Sequence, residues 1–223
     1  MNFETGNLYH IYSQGNNRQQ LFFSRENYLF FLKKIKKHIL PHADILAWCL
    51  MPNHFHLMIY VHTIEIPVDS EGVTPSDALT KVRTINESVG NHYRDSLSPR
   101  EAISKNRTLN DSIGYLIRSF TQAINKQEKR TGSLFKAHTK AECLTKIQGI
   151  TPSFFGSQIN VRIPEKEYPQ VCFNYIHQNP VKASLVKRPE EWEFSSYRDY
   201  YGFRNGKLIN RARAAEFELI NNG

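Results

Sequence analysis

Two histidines stand one residue apart, as His54 and His56, in the apolar run "LAWCLMPNHFHLMIYV" at positions 46–61. In a β-strand, residues i and i+2 face the same way, so the two imidazoles would lie side by side on one face. The apolar residues that alternate with them would face the opposite side and supply a core: Phe55, Leu57, Ile59 and Val61. Two imidazoles in this arrangement can share one divalent cation, since imidazole is the commonest metal ligand in proteins. The alternative interpretations are a pair of buried, hydrogen-bonded histidines without a metal, or histidines that simply lie near the end of a hairpin.

A third ligand has to come from another part of the chain. The candidates are His138, His177, acidic residues and side-chain amides. The segment "QVCFNYIHQN" at positions 170–179 predicts a short helix on which Tyr175 and Asn179, four residues apart, share a face. His177 falls on the opposite side of that helix. If the shared face docks over the histidine strand, Asn179 supplies an oxygen ligand and Tyr175 lies one helical turn from the metal.

This arrangement suits phosphodiester chemistry. A tyrosine phenol has a pKa of about 10, so it attacks poorly at neutral pH. A divalent ion bound to a phosphodiester oxygen polarises the phosphorus and stabilises the charge that develops. Attack by Tyr175 would leave a phosphotyrosine link and a free hydroxyl, and the stored bond energy would allow rejoining without a nucleotide cofactor. An ordinary aromatic role is the alternative, because the chain has 11 tyrosines.

The elements that must position these residues follow from periodicity and turn signals. Strands are predicted at 7–14, 44–51, 54–61 and 133–144, and helices at about 24–40, 110–132, 170–179 and 210–219. Pro180 is expected to stop the third helix, because proline cannot continue it. The last strand would place Lys136, His138 and Lys140 on one face. The order of elements predicts an α+β fold, with one antiparallel sheet that carries helices on one face.

Two polar stretches lengthen the chain between these elements. Residues 62–107 are interrupted by Pro and Gly and are too long for a plain loop, so they predict an insertion. Residues 146–166 predict an extended loop. The main domain would then comprise residues 1–190, followed by a C-terminal extension, 191–223, that is rich in basic and aromatic residues.

Composition narrows the classes of partner. The formal net charge of +8 favours a polyanionic partner, since lysine and arginine bind phosphates and release counterions. The three cysteines, Cys49, Cys143 and Cys172, lack the spacing of a disulfide framework or a metal site. No apolar run approaches the roughly 20 residues that span a bilayer, and the N-terminus lacks the pattern of a signal peptide. We therefore expect a cytoplasmic protein that does not engage a membrane.

Four stretches together resemble a known family. "MPNHFHLMI" is similar to the His-hydrophobic-His motif of HUH-superfamily single-strand DNA nucleases. "NYIHQNPVKASLV" resembles the catalytic-helix segment of REP-associated tyrosine transposases, relatives of the small single-tyrosine insertion-sequence transposases. "KRTGSLFKAHTKAECL" and "EFSSYRDYYG" also resemble segments of that family, so the match extends along most of 8–202. The stretches 62–107 and 146–166 are longer than this resemblance leads us to expect.

The resemblance implies a ferredoxin-like α+β domain and a set of functional residues. His54, His56 and Asn179 would hold Mg²⁺ or Mn²⁺, and Tyr175 would be the nucleophile that forms a 5′-phosphotyrosine bond on single-stranded DNA beside a hairpin. The prediction is therefore a metal-dependent transposase or nuclease that cleaves and rejoins such DNA. A monomer and a homodimer both stay open.

Basic and aromatic residues gain candidate roles in this interpretation. Basic side chains that could contact phosphates are Lys126, Lys129, Arg130, Lys136, Lys140, Arg198 and Arg204. Aromatic side chains that could stack on unpaired bases are Tyr197, Tyr200 and Tyr201. The alternative function is a catalytically silent DNA-hairpin-binding regulatory protein, which the intact set of four site residues disfavours. A structural zinc protein is disfavoured because no cysteine pairs with the histidines at zinc-site spacing.

Overall fold

The computed structural model of the protein describes residues 1–68, 105–146 and 164–220. The strands in chain order are β1 (Leu8–Gln14), β2 (Ala43–Met51), β3 (His54–Val61), β4 (Glu65–Val68), β5 (Lys105–Thr108) and β6 (Lys140–Cys143). The helices are α1 (Arg25–His38), α2 (Leu109–Gln127), α3 (Tyr168–Lys182), α4 (Tyr197–Tyr200) and α5 (Arg211–Glu216). Within the three described ranges, no helix has the length and apolar character needed to cross a membrane.

The main sheet has the connectivity of a ferredoxin-like fold. Its four strands are antiparallel neighbours in the order β2-β3-β1-β6. β3 pairs with both β1 and β2, and α1 forms the crossover between those two strands. α2 leads on to β6, which pairs with β1. The α+β class and the antiparallel sheet predicted from the sequence are confirmed.

Each face of this sheet carries its own apolar core. The core under α1 and α2 includes Phe31, Ile35, Phe55, Leu57, Leu116 and Phe120. The core under α3 and α5 includes Leu46, Cys49, Met58, Cys172, Phe173 and Ile176. Helices therefore cover both faces, where the order of elements led us to expect one. The reason is that β2 is apolar on both faces, so both faces need cover. Its residues in the first core are Ala43, Ile45, Trp48 and Leu50, and those in the second are Leu46, Ala47, Cys49 and Met51.

Two elements differ in length from their predictions. The predicted strand 133–144 pairs regularly only at Lys140–Cys143, because Leu134 and Phe135 are buried in succession and break the alternation that a strand needs. The prediction that the third helix stops before Pro180 was wrong, since α3 continues to Lys182. Pro180 lies in the last turn and loses a single helical hydrogen bond there, and the N–H of Ala183 still donates to the carbonyl of Asn179 at 2.9 Å.

The chain divides into two compact units, of which the smaller comprises Glu65–Thr108. Within it, β4 and β5 pair antiparallel, from Glu65 opposite Thr108 to Val68 opposite Lys105. Asn106 Nδ2 donates to Glu65 Oε2 at 3.1 Å across this pair. The unit overlaps the stretch predicted as an insertion, 62–107, from residue 65 onward. Two predicted stretches lie largely outside the described residues: 69–104 of the insertion, and 147–163 of the extended loop predicted at 146–166.

The C-terminal segment, residues 191–220, packs against the outer edge of β2. The N–H of Leu50 donates to the carbonyl of Phe194, and the N–H of Ser196 donates to the carbonyl of Trp48, both at 2.9 Å. β2 is the terminal strand of the sheet, so its outward N–H and C=O groups would otherwise be open to pairing with other chains. The segment thus covers the edge of the sheet.

A buried ion pair organises this segment. The Asp199 side chain is 1% exposed and accepts a hydrogen bond from Arg204 Nε at 2.6 Å. The same guanidinium donates to the backbone carbonyls of Glu193 and Ser195 at 2.8 and 2.7 Å. Arg204 therefore neutralises a buried carboxylate on α4 and links it to the backbone at 193–195.

We expect the substitution Arg204→Met to lower the free energy of unfolding by about 3 kcal/mol, because it leaves the Asp199 carboxylate buried without its counter-charge. The exposed Lys207 lies on the same segment, and Lys207→Met should change this free energy by no more than about 0.5 kcal/mol. Urea denaturation followed by circular dichroism measures both. Equal midpoints for Arg204→Met and the wild type would contradict the structural role of this arginine.

Candidate active site

α3 lies over the histidine-bearing face of the sheet and brings one tyrosine to the imidazoles. The ring centroid of Tyr175 is 5.3 Å from that of His56 and 6.0 Å from that of His10. The rings of His54 and His56 are 5.0 Å apart. Three of the residues singled out in the sequence therefore meet at one place, and their chemical roles stay predictions.

Asn179 completes this group from the next turn of α3. Its side-chain Nδ2 donates to the backbone carbonyl of Tyr175 at 2.8 Å. Its side chain also affects the pKa values of the neighbouring His54 and Tyr175 side chains. As the helical spacing predicted, His177 points the other way, where its Nε2 is 2.8 Å from Ser196 Oγ.

The two histidines of β3 are oriented by different partners. His54 Nδ1 lies 2.7 Å from Asn53 Oδ1, an oxygen that only accepts, so Nδ1 carries the proton and Nε2 keeps a lone pair. His56 Nδ1 lies 2.9 Å from His10 Nε2. His56 Nε2 is buried and has no hydrogen-bond partner among the residues that the structure describes. Each ring thus has one nitrogen engaged in orienting it.

Burial sets the protonation of these groups. It lowers the pKa of His54, and the hydrogen bond with Asn179 offsets part of that effect. Burial, with the neighbouring His10 and His54, holds the pKa of His56 well below its ordinary value. Burial also raises the pKa of Tyr175, against the opposing effect of the hydrogen bond with Asn179. At neutral pH the imidazoles are therefore neutral, as metal ligands must be, and the phenol is protonated.

These residues fit a divalent cation. A buried imidazole nitrogen without a protein partner is costly, and a bound cation would satisfy His56 Nε2. In the described ranges, no group of three or more His, Cys, Asp and Glu side chains is placed to hold a metal ion. A cation held by the two imidazoles would need a further oxygen ligand, and the amide of Asn179 is the candidate for it.

A cavity of about 270 Å³ lies beside this group. Its lining includes Tyr175 and both histidines of β3, together with Lys136, His138 and Lys140. These last three residues were predicted to share one face of a strand. They line one cavity instead, and most of the segment that carries them is not a strand. Lys136 and Lys140, which were predicted to contact phosphates, therefore lie next to the candidate nucleophile.

The other basic residues predicted to contact DNA lie elsewhere. Lys126 and Lys129 are exposed at the end of α2, on the opposite face of the sheet. Arg130 donates to Gln19 Oε1 at 2.6 Å, and Arg198 donates to the carbonyl of Glu190 at 2.6 Å. A DNA contact by Arg204 is not supported, because Asp199 and two backbone carbonyls engage its guanidinium.

The three tyrosines predicted to stack on bases differ in their environments. The hydroxyl of Tyr200 donates to the carbonyl of Leu46, which gives this side chain an internal role. Tyr201 is 57% exposed and stacks on Tyr197 with ring centroids 4.2 Å apart. Of the three, Tyr197 and Tyr201 therefore present the aromatic surface that stacking on a base requires.

Three neighbours of the site were missed in the sequence. His10 stacks on Tyr12 with centroids 4.8 Å apart, and the hydroxyl of Tyr12 donates to Glu142 Oε1 at 2.9 Å. Alternation in "LYHIYSQ" does place His10 and Tyr12 on one face, which is the signal that could have found them. Lys182, whose Nζ lies 5.3 Å from the ring centroid of Tyr175, follows this tyrosine by two helical turns and was also overlooked.

Comparison with known proteins gives a likeness of fold. No family model and no curated protein matches the chain. Among solved structures, that of a REP-associated tyrosine transposase bound to a REP hairpin is similar, with a TM-score of 0.50 and 15% sequence identity. The alignment covers 94% of this chain and 86% of that one. The likeness therefore extends over most of both chains, and at this identity it concerns the fold.

We expect His56→Ala to lower the affinity for Mn²⁺ by at least about tenfold, because it removes the buried nitrogen that lacks a protein partner. The matched control is His62→Ala, since His62 is exposed just after the same strand. Titration of Mn²⁺ followed by electron paramagnetic resonance measures both affinities. Equal affinities for His56→Ala and the wild type would exclude this imidazole as a ligand.

Proposed function

We propose that the protein cleaves and rejoins single-stranded DNA beside hairpins, through a covalent bond between Tyr175 and a 5′-phosphate, in a reaction that requires Mg²⁺ or Mn²⁺. The observation that carries this proposal is the position of the Tyr175 ring, 5.3 Å from that of His56, with Asn179 one turn away on the same helix. A phenol, two neutral imidazoles and an amide converge beside a basic cavity, which is an arrangement suited to phosphoryl transfer.

In the cleavage step, the phenol oxygen of Tyr175 attacks the phosphorus and the bond from phosphorus to the 3′-oxygen breaks. The phenol loses its proton, and the departing 3′-oxygen takes one up to become a hydroxyl. In the rejoining step, a 3′-hydroxyl attacks the phosphotyrosine and releases the phenol. The number of phosphodiester bonds is conserved, so no nucleotide cofactor is needed.

The raised pKa of Tyr175 defines what the site must supply. A protonated phenol is a weak nucleophile, so charge must be stabilised as the new bond forms. When bound by His54, His56 and Asn179, Mg²⁺ or Mn²⁺ supplies Lewis-acid stabilisation of that charge. Lys182, with Nζ 5.3 Å from the ring centroid, adds a positive charge close to the phenol.

Single-stranded DNA with a hairpin is the substrate class that the observations favour. Lys136 and Lys140 line the cavity next to Tyr175, and the whole chain carries a net charge of +8. The fold is similar to that of a transposase seen bound to a REP hairpin. The likeness and the basic cavity support DNA of this kind as the partner.

Tyr175→Phe should abolish the covalent protein–DNA adduct and leave hairpin affinity within about twofold, because only the attacking oxygen is lost. The assay uses 3′-labelled hairpin oligonucleotides with Mn²⁺ and denaturing gels, since the fragment that carries the 5′-phosphate becomes attached. Tyr12→Phe is the matched control, as Tyr12 lines the same cavity but its hydroxyl donates to Glu142.

The outcomes separate the competing assignments. An adduct that persists in Tyr175→Phe and disappears in Tyr12→Phe would reassign the nucleophile. Wild-type protein that binds hairpins tightly without forming an adduct on any of them would favour the catalytically silent, hairpin-binding regulatory protein.

Replacing Lys136 and Lys140 by Gln should weaken DNA binding and flatten its salt dependence. Each phosphate contact that is lost lowers the slope of log affinity against log salt by about 0.7 for single strands and about 0.9 for duplex. The control pair, Lys33→Gln and Lys36→Gln, lies exposed on α1 and should leave the slope unchanged. Fluorescence anisotropy over a range of salt concentrations measures it, and an unchanged slope in the cavity variants would remove them from the DNA interface.

A further inference from the structure

A histidine that the proposed reaction does not use makes a direct contact with one of its candidate ligands. His10 lies on β1 and is 1% exposed. Its Nε2 is 2.9 Å from Nδ1 of His56 on the neighbouring strand. In the register of the two strands, His56 stands opposite Tyr12 and His10 stands opposite Met58, so the pair is a diagonal one within reach across the sheet.

The contact requires one proton between the two rings. At this distance, one ring nitrogen is a donor and the other must be an acceptor. If His10 donates from Nε2, then a neutral His56 accepts at Nδ1 and carries its own proton on Nε2, where it cannot coordinate a cation. If His56 donates from Nδ1, then His10 accepts and His56 Nε2 keeps a lone pair. Only the second arrangement prepares His56 as a ligand.

We infer that His10 is a positioning residue, which accepts the Nδ1 proton of His56 and so holds the His56 Nε2 lone pair ready for a divalent cation. The inference rests on the proposed function, since it specifies how one ligand of that site is prepared. Its role parallels that of Asn53 Oδ1, which accepts from Nδ1 of His54 at 2.7 Å. Both imidazoles would then present the same nitrogen, each through a different acceptor.

Contacts around His10 support an orienting role. Its ring stacks on Tyr12, with centroids 4.8 Å apart and an angle of 24° between the planes. Tyr12 is itself held by its hydrogen bond to Glu142 on β6. The ring planes of His10 and His56 form an angle of 21°, and their centroids are 5.1 Å apart. The acceptor nitrogen is therefore directed at His56 by packing on the neighbouring strands.

The first test uses the metal-free, full-length wild-type protein. Long-range ¹H–¹⁵N correlation spectra of the imidazoles, assigned with the variants His10→Gln and His56→Asn, report which nitrogen of each ring is protonated. We expect a protonated Nδ1 and an unprotonated Nε2 on His56, with an unprotonated Nε2 on His10. A His56 ring protonated on Nε2 would overturn the inference. This result comes from the wild-type protein, so it does not depend on whether a variant folds.

The second test compares two substitutions at position 10 in their affinity for Mn²⁺. His10→Leu removes the acceptor and should lower the affinity by about 10- to 100-fold, as for other groups that orient metal ligands. His10→Gln keeps an acceptor oxygen and should retain an affinity within a few-fold of the wild type. A merely structural role would not produce this difference between variants. Equal affinities for His10→Leu and the wild type would overturn the inference.

Failure of the inference and failure of the proposed function give different results. Wild-type protein that does not bind Mn²⁺ but shows the expected protonation of His56 would contradict the metal requirement and leave the His10–His56 contact as inferred. Wild-type protein that binds Mn²⁺ and forms the adduct, with His10→Leu unaffected in Mn²⁺ affinity, would contradict the inference alone.

Discussion

The candidate site depends on the packing of α3 against the face of the sheet that carries the histidines. Cys172, Phe173 and Ile176 of this helix belong to the apolar core on that face. Each large apolar side chain stabilises the folded state by about 1.5–3 kcal/mol when fully buried, whereas a hydrogen bond contributes about 0.5–1.5 kcal/mol net. Apolar contacts therefore position the helix. Tyr175 and Asn179 reach the imidazoles because they lie beside those contacts.

The C-terminal segment holds α3 from its other side. Ser196 Oγ accepts from the N–H of Trp48 at 2.9 Å and lies 2.8 Å from Nε2 of His177. Burial lowers the pKa of His177 to about 3, so this ring is neutral in the folded protein at physiological pH. The edge strand β2, the C-terminal segment and α3 are thereby joined through one serine. The helix that carries Tyr175 is positioned by protein contacts on two sides.

The face under α3 combines apolar packing with a group of buried imidazoles. Apolar side chains in place of these imidazoles would make the fold more stable, because burying a polar group without a partner costs about 1–3 kcal/mol. His10, His54 and His56 all have lowered pKa values there, and His56 Nε2 lacks a partner among the described residues. Groups of this kind beside a basic cavity are typical of functional sites.

The relations that the sequence by itself determined lie within single elements. Strand alternation placed His54 and His56 together, opposite Phe55 and Leu57, and helical spacing placed Tyr175 with Asn179, because each period is a local property of the backbone. Only the tertiary structure decided the relations between distant elements. The diagonal contact of His10 with His56 depends on the register of two strands, and the burial of Asp199 converts Arg204 from a candidate DNA contact into its counter-ion. The cover on both faces of the sheet likewise follows from packing, which no local period encodes.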